Sequence, residues 1–195
     1  LKGKKELAHE IVYIDDPFII DSHNFSKKDV ERSFLGRTGD KITNHRMSLS
    51  SHYANNKNLT LIDKANLKDK LTLVYKKINN ILGSDMALFE TDKDNISDAR
   101  TKRLSLDSLS SGMKTFYLIK SLIDNGAIVQ NGTLILDEPE VHLHPDWQVT
   151  LAEVIVLLQR EMGLHILINT HSPYFLRAIE VFSGKYDTED VVKYY

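Results

Sequence analysis

The sequence predicts an α/β fold built on a parallel sheet with helices packed against it. Two short runs, residues 133–136 (Thr-Leu-Ile-Leu) and 165–169 (His-Ile-Leu-Ile-Asn), are apolar almost throughout. Strands of that kind are typical of a parallel sheet covered on both faces. Between them Trp147, Leu151, Val154, Ile155 and Leu158 recur at helical spacing. Strand, helix and strand within roughly 30 residues make a βαβ unit.

The remaining elements follow in chain order. Residues 1–60 are polar and irregular except for Ile11-Val12-Tyr13-Ile14, an extended apolar piece followed by Asp15-Asp16-Pro17 and Phe18-Ile19-Ile20. Pro17 predicts an edge strand or a bend there. From Ser33 to Asn58, Gly36, Gly39, Asn44, Ser48, Ser50 and Ser51 predict loop. Leu67, Leu71, Val74, Ile78 and Ile81 predict one helix, with Gly83 where its C-terminal cap belongs. Residues 84–107 read as short strands and loops, with Met86-Ala87-Leu88-Phe89 as a strand. A helix opens at Ser110-Ser111-Gly112, carries Met113, Phe116, Tyr117, Ile119 and Ile123, and stops near Asn125-Gly126. The helix of the βαβ unit starts at Pro145-Asp146, because proline and an acid both suit a first turn, and stops at Gly163.

With 195 residues and 42% hydrophobic content, the chain has material for one domain, or for a compact core with a subdomain. A net charge of −2 argues against wholesale electrostatic capture of nucleic acid, which needs a concentrated basic face. The local basic patch Lys2-Gly3-Lys4-Lys5 reads as a solvated, frayed start. The absence of cysteine excludes disulfides, thiolate zinc sites and cysteine nucleophiles. No apolar run approaches the roughly 20 residues of a membrane helix, and no basic-then-apolar leader opens the chain. The expectation is a soluble, cytoplasmic protein with no membrane partner.

Three segments carry chemistry. Strand 133–136 runs into Asp137-Glu138-Pro139-Glu140, two adjacent carboxylates at the carboxyl end of a parallel strand, where open α/β sheets bind ligands. Carboxylates and water suit a hard cation, so Asp137 is the candidate magnesium ligand and Glu138 the residue that orients attacking water in phosphoryl transfer. On its own the segment reads equally well as an acidic turn after a core strand. Upstream, Ser110, Ser111 and Gly112 open a helix whose free N–H groups and partial positive charge favour an anion. Serine capping explains those residues without a ligand as well. Directly after strand 165–169, His171 lies on the same carboxyl edge as Glu138, placed to donate to a phosphate oxygen or to the attacking water.

In this order the three segments resemble the signature motif, the Walker B with its D-loop, and the switch histidine of ATP-binding-cassette ATPases. The closest look is to the non-transporter branch of RecF, the structural-maintenance and Rad50 heads and the OLD-like ATPases. Residues 137–145 (Asp-Glu-Pro-Glu-Val-His-Leu-His-Pro) are similar to the form typical of that branch, and residues 170–176 (Thr-His-Ser-Pro-Tyr-Phe-Leu) look like its switch. The likeness spans about residues 104–182. It implies a P-loop NTPase-like sheet in residues 104–195, the C-terminal lobe of the head, and a mostly helical lid or arm in residues 1–103. It also implies ATP and Mg2+ as cofactors, and two heads that pair as an ATP-dependent homodimer. Glu138 and His171 would be catalytic. Ser110, Ser111 and Gly112 would touch the γ-phosphate held by the partner, and Glu140 and His142 would lie in the D-loop across that interface. D-loop placement accounts for His142 and His144 without a structural zinc.

The pattern has departures. No Gly-x-x-x-x-Gly-Lys-[Ser/Thr] segment is present, and the nearest stretch, residues 36–43 (Gly-Arg-Thr-Gly-Asp-Lys-Ile-Thr), has the wrong spacing and no strand before it. No Q-loop is recognisable. In the signature, Ser111 and Met113 stand where glycine and glutamine are common. The chain therefore reads as the C-terminal lobe of a longer ATPase, inactive by itself, that serves DNA repair or phage defence with DNA or an effector protein as partner. The alternatives are a non-catalytic dimerisation or regulatory fragment, and the ATPase part of an OLD-like nuclease. The tail acids Asp187, Glu189 and Asp190 lie too near the end to build a Toprim cluster.

Overall fold

A computed structural model describes residues 11–22, 45–54, 59–83 and 109–195. Three strands form one parallel sheet: β1 (Ile11–Ile14), β2 (Thr133–Asp137) and β3 (His165–Asn169), in the order β1-β2-β3. Val12 pairs with Leu134 and Ile14 with Leu136, and the same rows continue to Ile166 and Ile168. These six residues share one face, because side chains alternate along a strand. Val12, Ile14, Leu134 and Leu136 are buried there in the hydrophobic core, against which Ile166 and Ile168 also pack.

The opposite face is more open among the described residues. Its rows hold Ile11, 53% exposed, and Leu167, 56% exposed, with Tyr13 and Ile135 half-buried between them. Among the described residues the sheet is covered on one side.

That covering comes from α1 (His45–Ala54), α3 (Thr72–Leu82), α4 (Ser111–Asp124), α5 (Pro145–Met162) and α6 (Pro173–Lys185). The sequence reads residues 33–58 as loop, yet α1 packs on β1, on α4 and on the 3-10 turn Pro17–Ser22. Leu49 is fully buried, Tyr53 leans on the core, and Asn125 caps the end by donating to the Tyr53 carbonyl at 2.9 Å. Tertiary burial of one apolar side overrides the low helix propensity of its serines. Likewise, the single helix expected through Leu67 and Ile81 is two. Helix α2 (Leu61–Lys70) starts in a Thr60–Asp63 capping box, and the chain breaks at Leu71 before α3. The Thr72 hydroxyl donates back to the carbonyls of Lys68 and Asp69 at the break, a known way to bend a helix.

The βαβ unit follows the sequence reading closely. Pro145 opens α5, and Gly163 ends it in the left-handed region (φ 64°), where a β-carbon would meet Asn131 Oδ1 at 2.6 Å. Strand β1, from the N-terminal part of the chain, pairs with β2 in the same sheet. The basic patch, residues 36–43 and residues 86–89 lie outside the described residues. Among the described residues no helix is long and apolar enough to cross a membrane.

Candidate nucleotide site

The carboxyl ends of all three parallel strands meet at one edge, and there the backbone leaves regular geometry. Glu138 (φ 45°) and His142 (φ 69°) occupy the left-handed region, which costs a non-glycine residue about 1 kcal/mol or more. Two tight turns hold them, with Val141 N–H donating to the Glu138 carbonyl at 3.0 Å and Leu143 N–H to that of Glu140 at 3.1 Å. Strain of this kind collects at functional loops because the surrounding contacts over-determine it.

Asp137 is fixed on both carboxylate oxygens. Tyr13 donates its hydroxyl to Oδ2 at 3.0 Å and Asn169 its amide to Oδ1 at 2.6 Å. The bond to Asp137, then burial and the charges of Asp137 and Asp15, push the Tyr13 hydroxyl above its ordinary value. Each carboxylate oxygen keeps a second lone pair, so Asp137 still has acceptor capacity. Glu138 donates its backbone N–H to the Asn169 carbonyl at 2.8 Å, and its Oε1 stands 3.4 Å from His171 Nε2. The imidazole of His171 is 83% exposed and the Glu138 side chain 45%, so both can reach a ligand in solvent.

A cavity of about 260 Å³ lies beside these groups, between Asp15, Asp16 and Phe18 after β1 and Asp137, Glu138 and His142 after β2. Its oxygen donors fit magnesium, which takes one or two carboxylates and completes its shell with water and substrate phosphates.

Helix α4 borders the cavity through Thr115 and Ile119. Exposed Ser110 caps the helix, its hydroxyl oxygen accepting from Met113 N–H at 3.3 Å, and Ser111 is half-buried beside it. Gly112 points inward instead. A β-carbon there would meet the Trp147 ring at 2.8 Å and Leu143 at 3.1 Å, so the glycine lets α4 pack against the start of α5. His142 lies edge-on to Phe18 at 5.9 Å on the cavity wall. His144 serves as the cap of α5, its Nδ1 accepting from Asp146 N–H at 3.3 Å.

Glu140 turns inward. Its side chain is 6% exposed, and one carboxylate oxygen accepts the hydroxyl of Thr170. Sequence reasoning therefore missed Tyr13, Asn169, Thr170 and Trp147. Asn169 had a readable signal, because parallel register pairs it with Asp137.

A family model described as "AAA domain, putative AbiEii toxin, Type IV TA system" matches residues 6–177. The chain belongs to this family. It is similar to the Septu protein PtuA of Bacillus thuringiensis, 31% identical over 150 residues, which is 70% of this chain and 36% of the relative. It is also similar to the Retron Vc95 probable ATPase of Vibrio cholerae serotype O1 biovar El Tor, 26% identical over 135 residues, 58% of this chain and 26% of that protein. The chain thus corresponds to about a third or less of these relatives. No solved structure matches at a comparable level. The family is an AAA-type ATPase family, coarser than the OLD-like and RecF branch that the motifs resemble.

Proposed function

We propose that this chain is the catalytic lobe of an ATP-hydrolysing head of the OLD-like type, which pairs with a second head across ATP and serves phage defence or DNA repair. The observation that carries the reading is the convergence of Asp137, Glu138 and His171 at one sheet edge, with Glu138 Oε1 and His171 Nε2 3.4 Å apart. Asp137 would hold magnesium together with the phosphates, and the ion would neutralise charge on the oxygens there. Glu138 takes a hydrogen bond from the attacking water and aligns it. His171 donates to the γ-phosphate oxygens that gain charge. Ser110 and the first N–H groups of α4, together with exposed Val141 and His142, form the face offered to the second head. The similarity to a probable ATPase supports the hydrolytic reading.

The test compares two proteins. Residues 1–195 alone should show no ATP hydrolysis, because the phosphate cradle is not among their motifs. The complete reading frame should hydrolyse ATP, and Glu138→Gln should abolish that turnover. Robust hydrolysis by residues 1–195, or by the Glu138→Gln protein, would refute the assignment.

A further inference from the structure

We infer that Glu140 and Thr170 act as a positioning pair that sets His171 against Glu138; the inference rests on the ATPase reading above. At and just past the ends of β2 and β3, the two segments are joined by three further bonds. Asn169 binds Asp137 through its amide, the Glu138 N–H binds the Asn169 carbonyl, and the Thr170 hydroxyl binds the Glu140 carboxylate. The third bond differs from the others in its burial. Glu140 is 94% buried, reckoned from its 6% exposure, and its second oxygen, Oε2, has no hydrogen-bond partner and no contact with solvent. A buried carboxylate held by one hydroxyl is a costly group to keep for packing alone. The bond it does make therefore matters for where Thr170 sits.

Thr170 uses its hydroxyl twice. The hydrogen goes to Glu140, and the oxygen accepts the backbone N–H of Ser172 at 3.1 Å. Ser172 in turn caps α6, its side-chain oxygen accepting from Phe175 N–H at 3.1 Å. His171 lies between these two anchored residues, and its own side chain is largely exposed. The imidazole thus owes its place beside Glu138 to its neighbours rather than to packing. Glu140 belongs to the turn that presents Val141 and His142 at the surface, so pressure on that turn is passed through Thr170 to the histidine.

The experiment uses the complete reading frame and four single variants: Thr170→Val, Thr170→Ser, Glu140→Gln and His171→Ala. Thr170→Val keeps the shape and removes the hydroxyl. It should lower kcat about 10- to 100-fold with the KM for ATP unchanged, as expected of a small misplacement of a reacting group. Thr170→Ser, which keeps the hydroxyl, should lose less rate than Thr170→Val, and Glu140→Gln, which keeps a neutral acceptor but buries an unpaired amide N–H, should fall between the wild type and Thr170→Val. In the Thr170→Val, His171→Ala double variant the valine should cause no further loss, since the residue it positions is gone. Wild-type turnover by Thr170→Val, or full additivity of the two losses, overturns the pairing. Amide exchange adds a readout that needs no catalysis. Ser172 N–H should exchange about 2- to 10-fold faster in Thr170→Val, as the loss of one hydrogen bond predicts, and an unchanged rate also overturns it. A complete wild-type protein without ATPase activity would refute the proposed function and leave the exchange result to judge the clamp.

Discussion

Two glutamates fifteen positions apart show how this fold treats charge in its two regions. Glu153, in the middle of α5, is 6% exposed and takes bonds from three directions. Lys77 of α3 reaches it at 2.5 Å, Lys185 of α6 at 2.9 Å and the Tyr186 hydroxyl at 2.5 Å. Glu138, at the strand edge, is half-exposed, sits on a strained backbone and meets the exposed His171 imidazole at 3.4 Å. A buried carboxylate with both oxygens bound by three donors holds helices together. One left with spare capacity beside a cavity is available for chemistry.

The comparison breaks most sharply at Glu138. Replacing it by glutamine removes the charge that aligns water and should lower ATP turnover of the complete protein about 100-fold or more, the scale of a lost general-base group. Stability should stay within about 0.5 kcal/mol, because the side chain is a surface one. A variant that lost folding as well as turnover, as judged by thermal melting, would show that Glu138 is structural like Glu153.

At Glu153 the opposite pattern is expected. Glu153→Ala leaves Lys77 and Lys185 without their carboxylate and should destabilise the fold by about 3 kcal/mol, the low end for a broken buried pair because both lysines reach solvent. The same site predicts a pH dependence. Burial pushes the Glu153 carboxyl up, but the bonds from Lys77, Tyr186 and Lys185 outweigh it and leave the group below its ordinary value. A depressed folded value means that the contribution is present above the unfolded value, about 4.3, and is lost as pH falls through the folded one. Acid titration of stability should therefore be shallower below about pH 4.3 in Glu153→Gln than in the wild type. An identical slope would show that the network carries no linked proton.

Gly112 tests whether the start of α4 is built for a ligand or for packing. Gly112→Ala puts a methyl group within 2.9 Å of two Trp147 ring atoms, and should cost about 1–3 kcal/mol as an overpacked contact. Denaturant unfolding measures it. A neutral result would mean that Trp147 yields easily and that the glycine is needed only for approach to phosphate.

What was legible in the sequence follows the same divide. The βαβ unit declared itself because Leu134 and Leu136 bury in a continuous apolar strand while Pro145 and Gly163 mark both ends of its helix. The edge location of Asp137, Glu138 and His171 followed from parallel topology alone. Helix α1 was hidden, since burial of Leu49 and support from Asn125 are tertiary facts that a serine-rich stretch does not advertise. The break at Leu71 was hidden as well, because a fully buried leucine satisfies the helical period on both sides of it. The inward turn of Glu140 was hidden too, because it depends on the turns held by Val141 and Leu143, which direct its carboxylate to Thr170.

The smallest expected effect sharpens the boundary between the two kinds of carboxylate. Asp137 stands between them, with Tyr13 on one oxygen and Asn169 on the other, yet at the edge of the cavity. Tyr13→Phe removes one neutral donor from a half-exposed row and should cost about 1 kcal/mol or less. If Asp137 is a ligand group, the freed lone pair should leave magnesium-dependent nucleotide binding intact or slightly tighter, because the phenol no longer competes for Oδ2. If Asp137 is structural, the variant should lose stability and nucleotide affinity together. Isothermal titration of the complete protein with Mg-ATP, set beside its melting curve, separates the two: an unchanged or improved affinity with a small loss of stability assigns Asp137 to the cavity. A large drop in both would place it with Glu153.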